Sequence, residues 1–264
     1  MLRALIWDVD GTLADTEELG HRPAFNQAFA EAGLPWHWDA ALYAQLLATT
    51  GGKERVLAWW QQLDPMAAAA PGAAARIAQL HACKTAIYVA SVQAGALALR
   101  PGVARLLQQA RQHGLQLAIA TTTTADNVLA LLQATLGPGS PAWFVCIGAG
   151  DVVPHKKPAP DIYHWVLQRL GLPAADCVAI EDSGPGAAAA LAAGLPTLVT
   201  RSRYSQGDTM PAGLLAALLA DLDQLGEPGA PAQGLVQGQA GATTWQGVVD
   251  LAQLQRWAGH LPAP

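Results

Sequence analysis

The sequence predicts an α/β fold, a doubly wound parallel sheet with an all-helical domain inserted after the first strand. After residue 100, short apolar segments alternate with helix-like segments, which is typical of parallel βαβ units. Residues 17–93 show helical periodicity only, which favours an insertion. The chain is 52% hydrophobic and only 13% charged, so it has the composition of a packed protein and not of a disordered one.

The elements are separated by glycine and proline, which mark turns. Strands are expected at residues 2–9, 115–120, 144–147, 177–180 and 197–200. Helices are expected at residues 17–32, 39–48, 53–63, 72–97, 102–113, 125–136, 160–170 and 186–193.

These elements divide the chain into three parts. Residues 1–16 and 94–225 are expected to form a discontinuous sheet domain, and residues 17–93 the helical domain. Residues 226–264 form a C-terminal extension. Its first part, 226–241, is rich in Gly, Pro and Gln and is expected to be a loop or linker, and a helix over 248–257 is expected to dock on the core.

The charge balance excludes several classes of protein. Fifteen basic and twenty acidic residues give a net charge of −5, which does not favour a nucleic-acid partner. No apolar run approaches the roughly 18 residues of a membrane span, and the N-terminal residues do not resemble a targeting peptide. The three cysteines are widely spaced, which favours neither disulfides nor zinc. We therefore expect a cytoplasmic monomer that acts on a small molecule.

Polar side chains follow the first, second and fourth predicted strands. Ligands of open α/β sheets bind beyond the carboxyl ends of the strands, so these side chains are expected to converge. Two carboxylate pairs suit a metal ion, while a hydroxyl and an ammonium suit an oxyanion. The set consists of Asp8, Asp10, Thr121, Lys157, Glu181 and Asp182.

Four sequence motifs carry a family resemblance. Asp8-Val9-Asp10-Gly11-Thr12, Thr121, Lys157-Pro158 and Glu181-Asp182 resemble, in the same order, the motifs of the haloacid dehalogenase-like phosphohydrolase superfamily. The match is specific because it needs four elements at strand ends in one order. It covers about residues 2–225 and implies a Rossmann-like core and a phosphoric monoester hydrolase.

The resemblance also implies a role for each motif. Asp8 is the nucleophile that forms an aspartyl-phosphate, and Asp10 is the general acid and base. Mg²⁺ is the implied cofactor, held by Asp8, the main-chain carbonyl of Asp10, Glu181 (directly or through water) and Asp182. The transferring phosphoryl group is bound by Thr121, the backbone of Thr122 and Lys157.

The insertion resembles the helical cap of some superfamily members, which closes over the site and excludes water. Several segments are similar to the CbbY-like group, in the branch that includes β-phosphoglucomutase. Among them are Thr50-Gly51-Gly52-Lys53-Glu54-Arg55 and Lys84-Thr85-Ala86-Ile87-Tyr88. This similarity implies a phosphatase that converts xylulose-1,5-bisphosphate, an inhibitor of Rubisco, to xylulose 5-phosphate for the Calvin cycle.

A bisphosphate needs a second anion site, which we expect on the cap. Glycines at a helix start expose backbone N–H groups, and a guanidinium grips phosphate bidentately. The expected cap contacts are Glu17, His21, Thr50, Gly51, Gly52, Lys53, Arg55 and Lys84. Other interpretations stay open, because His21 could be a packing histidine and either Lys53 or Arg55 a solvated helix charge.

Two alternatives remain at this point. A sugar-phosphate mutase like β-phosphoglucomutase, or another small phosphate-ester phosphatase, would use the same core motifs. A non-catalytic binding module on the same scaffold would be expected to lack one of the motif carboxylates, and all four are present.

Overall fold

The computed structural model describes residues 1–210, 218–238 and 241–259, and it confirms the α/β class. One sheet contains all eight strands found in this part of the chain, in the order β3-β2-β1-β4-β5-β6-β7-β8. Their bounds are β1 Ala4–Trp7, β2 Gln116–Ala120, β3 Phe144–Gly148, β4 Cys177–Glu181, β5 Thr197–Thr200, β6 Leu218–Leu222, β7 Ala232–Gly238 and β8 Gly241–Gly247.

The first six strands are parallel, and β7 and β8 run antiparallel to their neighbours. From β1 the chain passes to β2 and β3 on one side of β1. It then crosses back to β4 on the other side of β1. The loops that follow β1 and β4 therefore open into a crevice at the carboxyl edge of the sheet, which is where open α/β folds bind ligands.

Within the described residues, ten α-helices surround the sheet or form the insertion. Those before β2 are α1 Arg22–Glu31, α2 Ala40–Leu46, α3 Gly52–Leu63, α4 Pro65–Ala68, α5 Ala73–Gln93 and α6 Val103–Gln112. Those after it are α7 Ala125–Leu136, α8 Asp161–Leu170, α9 Gly184–Ala192 and α10 Leu251–Trp257. A π-helical turn at Glu17–His21 leads into α1. None of the helices in the described ranges has the length and apolar character to cross a membrane.

Both faces of the sheet are buried, as expected of parallel strands covered by helices. Successive side chains point to opposite faces. Leu5 and Trp7 of β1 accordingly belong to the cluster that packs on α6, α7 and α10, whereas Ala4 and Ile6 belong to the cluster that packs on α8 and α9.

The helices between β1 and β2 have an aromatic core of their own. Helix α1 packs on α5. The centre of this aromatic core consists of the fully buried Phe25, Phe29, Trp38 and Tyr43. The Asn26 amide exchanges two hydrogen bonds with the backbone of Trp38, at 2.7 and 2.9 Å, and so fixes the loop before α2. We call residues 17–93 the cap; the exact domain boundaries stay a prediction.

The C-terminal extension differs from its prediction. Residues 226–241 were expected to be loop or linker, but β7 occupies residues 232–238 of this segment and pairs with β6, and β8 follows it. Strand β8 is largely solvent-exposed, so the sequence of the hairpin lacks the apolar alternation that would predict strands. The helix begins at Leu251, three residues later than expected, and buries Leu251 and Leu254.

Candidate active site

Asp8 and Glu181 lie side by side in the crevice because their strands are neighbours. Trp7 of β1 is in register with Ile180 of β4, and the backbone N–H of Asp8 donates to the Ile180 carbonyl at 3.0 Å. The carboxylates that end the two strands consequently share one edge. Asp8 is 7% exposed and Glu181 is 1% exposed, so both act in a site that is largely shielded from bulk water.

Lys157 neutralises this carboxylate pair. Its Nζ donates to Asp8 Oδ1 at 2.7 Å, to Glu181 Oε1 at 2.6 Å and to the Ala120 carbonyl at 2.8 Å. All three ammonium donors are therefore used. Burial alone lowers the pKa of Lys157, but the two carboxylates outweigh it and raise the pKa well above its usual value, so the side chain is a permanent cation.

Three carboxylates form a group with the chemistry of a divalent-cation site. One oxygen each from Asp8, Glu181 and Asp182 lie within 4.8 Å of one another. Glu181 Oε2 is buried and has no hydrogen-bond partner among the described residues, and burial raises the pKa of Asp182 to about 7. A bound cation would give Glu181 Oε2 a partner and would lower the pKa of Asp182. An all-oxygen donor set of this kind fits Mg²⁺.

The Asp182 carboxylate occupies a space that only a glycine at position 11 leaves free. Gly11 has φ +85°, and a Cβ there would overlap Asp182 Oδ2. Ser202 and Ser205, from the loop after β5, hydrogen-bond to Asp182 and lower its pKa against the effect of burial. Their hydroxyls also contact each other at 3.0 Å.

Asp10 faces the cap and not the carboxylate group. Its Oδ1 accepts from Thr16 Oγ1 at 2.6 Å and contacts His21 Nε2 at 2.9 Å. Lys84 Nζ lies 2.7 Å from His21 Nδ1. Because an ammonium only donates, Nδ1 is the acceptor in this contact. Nε2 therefore carries the ring proton and donates a hydrogen bond to Asp10. Burial raises the pKa of Asp10, but the His21 and Thr16 contacts outweigh it and bring the pKa to about 2.

Thr121 lies on the other side of Asp8, directly after β2. It is buried, and its Oγ1 accepts a long hydrogen bond of 3.3 Å from the Thr123 N–H. Thr122 lines the same cavity as Asp8 and Lys157. The predicted phosphoryl-binding residues are thus brought together around the predicted nucleophile.

A cavity of about 380 Å³ opens between this crevice and the cap. Its floor includes Asp8, Asp10 and Asp182, and the cap contributes Glu17, Thr50 and Arg55. The volume suits a small metabolite. The cavity is therefore a substrate-sized space lined by carboxylates of the core and by a guanidinium of the cap.

Tyr43 holds Arg55 and Glu17 in place at the cap end. The Tyr43 hydroxyl donates to Glu17 Oε2 at 2.5 Å and accepts from Arg55 Nη1 at 3.0 Å. Arg55 Nε donates to the Leu46 carbonyl at 3.3 Å, and Nη2 lies 4.0 Å from Glu17 Oε1. The guanidinium is 6% exposed, so it is a buried and oriented cation.

The other predicted cap residues lie elsewhere. Gly51, Gly52 and Lys84 line a smaller pocket of about 30 Å³ beside His21. Lys84 is 3% exposed, and burial lowers its pKa to about 8. Lys53 does not line the large cavity but lies at the seam between cap and core, with Nζ 2.5 Å from Asp151 Oδ2.

Lys53 is part of a four-residue charge cluster that crosses this seam. Lys156 of the core lies 2.9 Å from Glu54 of the cap and 3.2 Å from Asp151. The structure thus brings Arg55, Glu17 and Thr50 into the cavity, whereas Lys53 contacts the core surface.

Comparison with known proteins agrees with this geometry. A family model of haloacid dehalogenase-like hydrolases matches residues 2–194. The chain belongs to this family. It is 50% identical to protein CbbY (plasmid) of Cupriavidus necator over 256 residues, which is 97% of this chain and 96% of that protein.

Two solved structures resemble the chain to different degrees. A CbbY variant from Rhodobacter sphaeroides, in complex with xylulose-(1,5)-bisphosphate, is 44% identical with a TM-score of 0.73, over 80% of this chain and 92% of that one. β-Phosphoglucomutase from Clostridium difficile is 19% identical with a TM-score of 0.61, over 76% of this chain and 85% of that one. The second likeness concerns the fold alone.

Sequence reasoning missed several residues that complete the site. Ser202 and Ser205 follow β5 at the same sheet edge as the motif residues, so the strand-end rule could have found them. Thr16 lies in the first cap linker, where a hydroxyl gives no distinctive signal. Tyr43 reads as an ordinary apolar position of α2, and its contact with Arg55 depends on how α2 and α3 pack together.

Proposed function

We propose that this hydrolase is a Mg²⁺-dependent phosphatase that removes one phosphate from xylulose-1,5-bisphosphate and releases xylulose 5-phosphate. The observation that carries the proposal is the cavity itself. Its lining combines Asp8, Lys157 and Asp182 of the core with the buried guanidinium of Arg55 from the cap, so it offers a separate cationic group to each of two phosphates. The similarity to CbbY proteins supports the choice of sugar.

Asp8 is the nucleophile in this proposal. Its carboxylate attacks phosphorus and displaces the sugar oxygen, giving an aspartyl-phosphate. Lys157 and Thr121 then lie beside the transferring phosphoryl group, where fixed donors stabilise its charge. Mg²⁺ held by Asp8, Glu181 and Asp182, with the Asp10 carbonyl as a further ligand, would shield the attacking carboxylate from the negative phosphate.

Asp10 transfers the protons. The leaving sugar oxygen needs a proton, and the hydrolytic water must later lose one. With a pKa of about 2, Asp10 is a carboxylate in this arrangement and must first receive a proton. The nearest donor is His21 Nε2, which is 2.9 Å away and is backed by Lys84 at 2.7 Å. We propose that this pair supplies the proton of Asp10: as His21 Nε2 gives its proton to Asp10, Nδ1 takes one from the Lys84 ammonium, so that the imidazole stays neutral and Lys84 becomes a neutral amine.

Arg55 binds the distal phosphate together with Thr50. The backbone N–H groups at the start of α3, which begins at Gly52, face the smaller pocket nearby and provide the partial positive charge of a helix N-terminus. Glu17 is left to contact sugar hydroxyls, whereas both ring nitrogens of His21 are taken by Asp10 and Lys84. Lys53 is the least favoured of the predicted contacts, because its ammonium is paired with Asp151.

A sugar-phosphate mutase remains the alternative, since it would pass through the same phosphoenzyme. The comparisons favour the phosphatase: the structure with xylulose-(1,5)-bisphosphate is 44% identical to this chain, and the mutase from Clostridium difficile is 19% identical.

A kinetic panel tests the proposal. Phosphate release is measured with Mg²⁺ on xylulose-1,5-bisphosphate, ribulose-1,5-bisphosphate and β-glucose 1-phosphate. We expect fast release from the first and little from the second, which differs in configuration at one carbon. Conversion of β-glucose 1-phosphate to glucose 6-phosphate without phosphate release would instead identify a mutase.

Arg55→Ala tests the distal phosphate site. A hydrogen bond to a charged group contributes about 1.5–3 kcal/mol, so kcat/KM for the bisphosphate should fall about 10- to 100-fold. Turnover of acetyl phosphate, which is too short to span the cavity, should change far less. Arg76→Ala is the matched control, because Arg76 is an exposed cap arginine that stacks on Trp60 outside the cavity. Equal losses on both substrates would contradict the assignment.

A further inference from the structure

The loop after β5, residues 201–208, is rigidly built although it lies beyond the region matched by the family. That match ends at residue 194. Arg201 forms a bidentate pair with Asp221 at 2.7 and 2.8 Å and donates to the carbonyls of Ser205 and Asp208 at 2.8 Å. Asp208 Oδ2 accepts from the Gly184 N–H at the start of α9, at 2.8 Å. The loop is therefore fastened to the sheet and to a core helix.

The same loop forms a wall of the large cavity. Ser202, Tyr204, Ser205 and Asp208 all line it. Ser202 and Ser205 are hydrogen-bonded to Asp182, and Asp208 caps α9. Tyr204 is thus the member of the wall whose bulk faces the space between core and cap.

Tyr204 bridges from the core to the cap. Its hydroxyl donates to Glu18 Oε2 in the π-helical turn, and its ring packs on the aromatic core of the cap. The centroids of the Tyr204 and Tyr43 rings are 5.8 Å apart in an edge-to-face arrangement, which is a favourable geometry for aromatic pairs. Tyr43 in turn positions Glu17 and Arg55.

We propose that Tyr204 is a specificity-determining residue that sets the length of sugar phosphate the closed cavity accepts. It couples the wall beside Asp182, where one phosphate is cleaved, to the Tyr43 and Arg55 end, where the other is bound. On this proposal the cavity accepts a five-carbon bisphosphate and disfavours a six-carbon one. This inference rests on the proposed function, because it assumes a substrate with a phosphate at each end.

The test compares Tyr204→Ala and Tyr204→Phe on xylulose-1,5-bisphosphate, fructose-1,6-bisphosphate and acetyl phosphate. One methylene in a fitted pocket changes discrimination about 10- to 200-fold. Tyr204→Ala should therefore reduce the five- to six-carbon ratio of kcat/KM at least about tenfold. Tyr204→Phe keeps the ring, so it should keep that ratio. Because Tyr204→Phe loses the hydrogen bond to Glu18, its KM for both bisphosphates should rise about 2- to 10-fold.

Acetyl phosphate separates specificity from folding, because it has no second phosphate to reach Tyr43 and Arg55. Its turnover should change far less than that of the two bisphosphates in both variants. Gln206→Ala, at an exposed position of the same loop, should leave the turnover of all three substrates unchanged. An unchanged ratio in Tyr204→Ala, or an equal loss on all three substrates, would overturn the proposal. If the wild type does not hydrolyse xylulose-1,5-bisphosphate, the proposed function fails; the ratio is then measured between its best sugar phosphate and the next longer one.

Discussion

Replacing Lys157 by methionine tests the charge balance of the site, because its ammonium lies between two buried carboxylates. The distances to Asp8 and Glu181 are 2.7 and 2.6 Å, and the lysine side chain is 6% exposed. Removing one partner of a buried ion pair costs about 3–5 kcal/mol. In a domain of this size that corresponds to a loss of about 6–20 °C in Tm.

The sign of the metal effect follows from the same charges. Without Lys157 the carboxylates repel one another, so a divalent cation should stabilise Lys157→Met more than it stabilises the wild type. We expect the Tm difference between the two proteins to be large in EDTA and smaller in saturating Mg²⁺. Phosphate release should stay about 100- to 1,000-fold below wild type even with Mg²⁺, because a fixed donor to the phosphoryl group is lost.

Lys156→Met is the matched control. Lys156 is the adjacent lysine, but its partners Glu54 and Asp151 are 44% and 60% exposed. Pairs of this kind contribute about 0–1 kcal/mol, so Tm should fall by no more than about 4 °C. Thermal unfolding with EDTA and with Mg²⁺ measures both variants. Equal Tm changes, or near-normal phosphate release by Lys157→Met, would refute the reasoning.

Three further predictions concern the metal end, the cap seam and the proton donor. Burial raises the pKa of Asp182 from 3.8 to about 7, so the contribution of this carboxyl to stability is present below pH 4 and is lost as pH rises to 7. Metal-free Asp182→Asn should therefore have a higher Tm than metal-free wild type at pH 8. Mg²⁺ should no longer raise the Tm of this variant. Glu54→Lys should raise KM by repelling Lys156, and adding Lys156→Glu should restore KM. The difference in KM between the single and the double variant should shrink at high salt. A double variant with the same KM as the single one would argue against the Glu54–Lys156 contact. His21→Asn should lower kcat about tenfold, the equivalent of one orienting hydrogen bond of about 1.4 kcal/mol, with a smaller change in KM; an unchanged kcat would remove His21 from proton transfer.

The strand-end residues were predictable because their positions follow from topology. Parallel strands expose their carboxyl ends at one edge, so Asp8, Thr121, Glu181 and Asp182 had to meet once the strands were recognised. The order of the sheet then makes β1 and β4 neighbours, which gives the distances around Lys157.

The cap residues were less predictable because helix orientation decides which side chain faces the cavity. Lys53 and Arg55 are two residues apart on α3, which places them about 200° apart around the helix axis. They therefore point in nearly opposite directions: Arg55 is buried beside Tyr43, and Lys53 contacts Asp151 of the core. The sequence analysis expected both to contact substrate and left open that one is a solvated charge, and the packing of α2 and α3 was needed to choose between them.

The C-terminal hairpin was missed for a different reason. Strands β7 and β8 are rich in Gly and Gln, and β8 is mostly exposed, so neither shows the apolar alternation that indicates a strand. They form because β7 pairs with β6 through Asp221 and Leu222, which lie some ten residues earlier in the chain. Non-local pairing of this kind leaves little trace in local composition.

Trapping the phosphoenzyme tests the central claim most directly. During turnover of xylulose-1,5-bisphosphate with Mg²⁺, the reaction is quenched in acid, treated with borohydride and digested, and the peptide that contains residue 8 is analysed by mass spectrometry. Borohydride reduces an acyl phosphate to the alcohol, so homoserine should replace Asp8 in the sample with substrate and should be absent without it. Asp8→Asn should give neither homoserine nor phosphate. Homoserine at another aspartate, or phosphate release by Asp8→Asn, would contradict the assignment of Asp8 as the nucleophile.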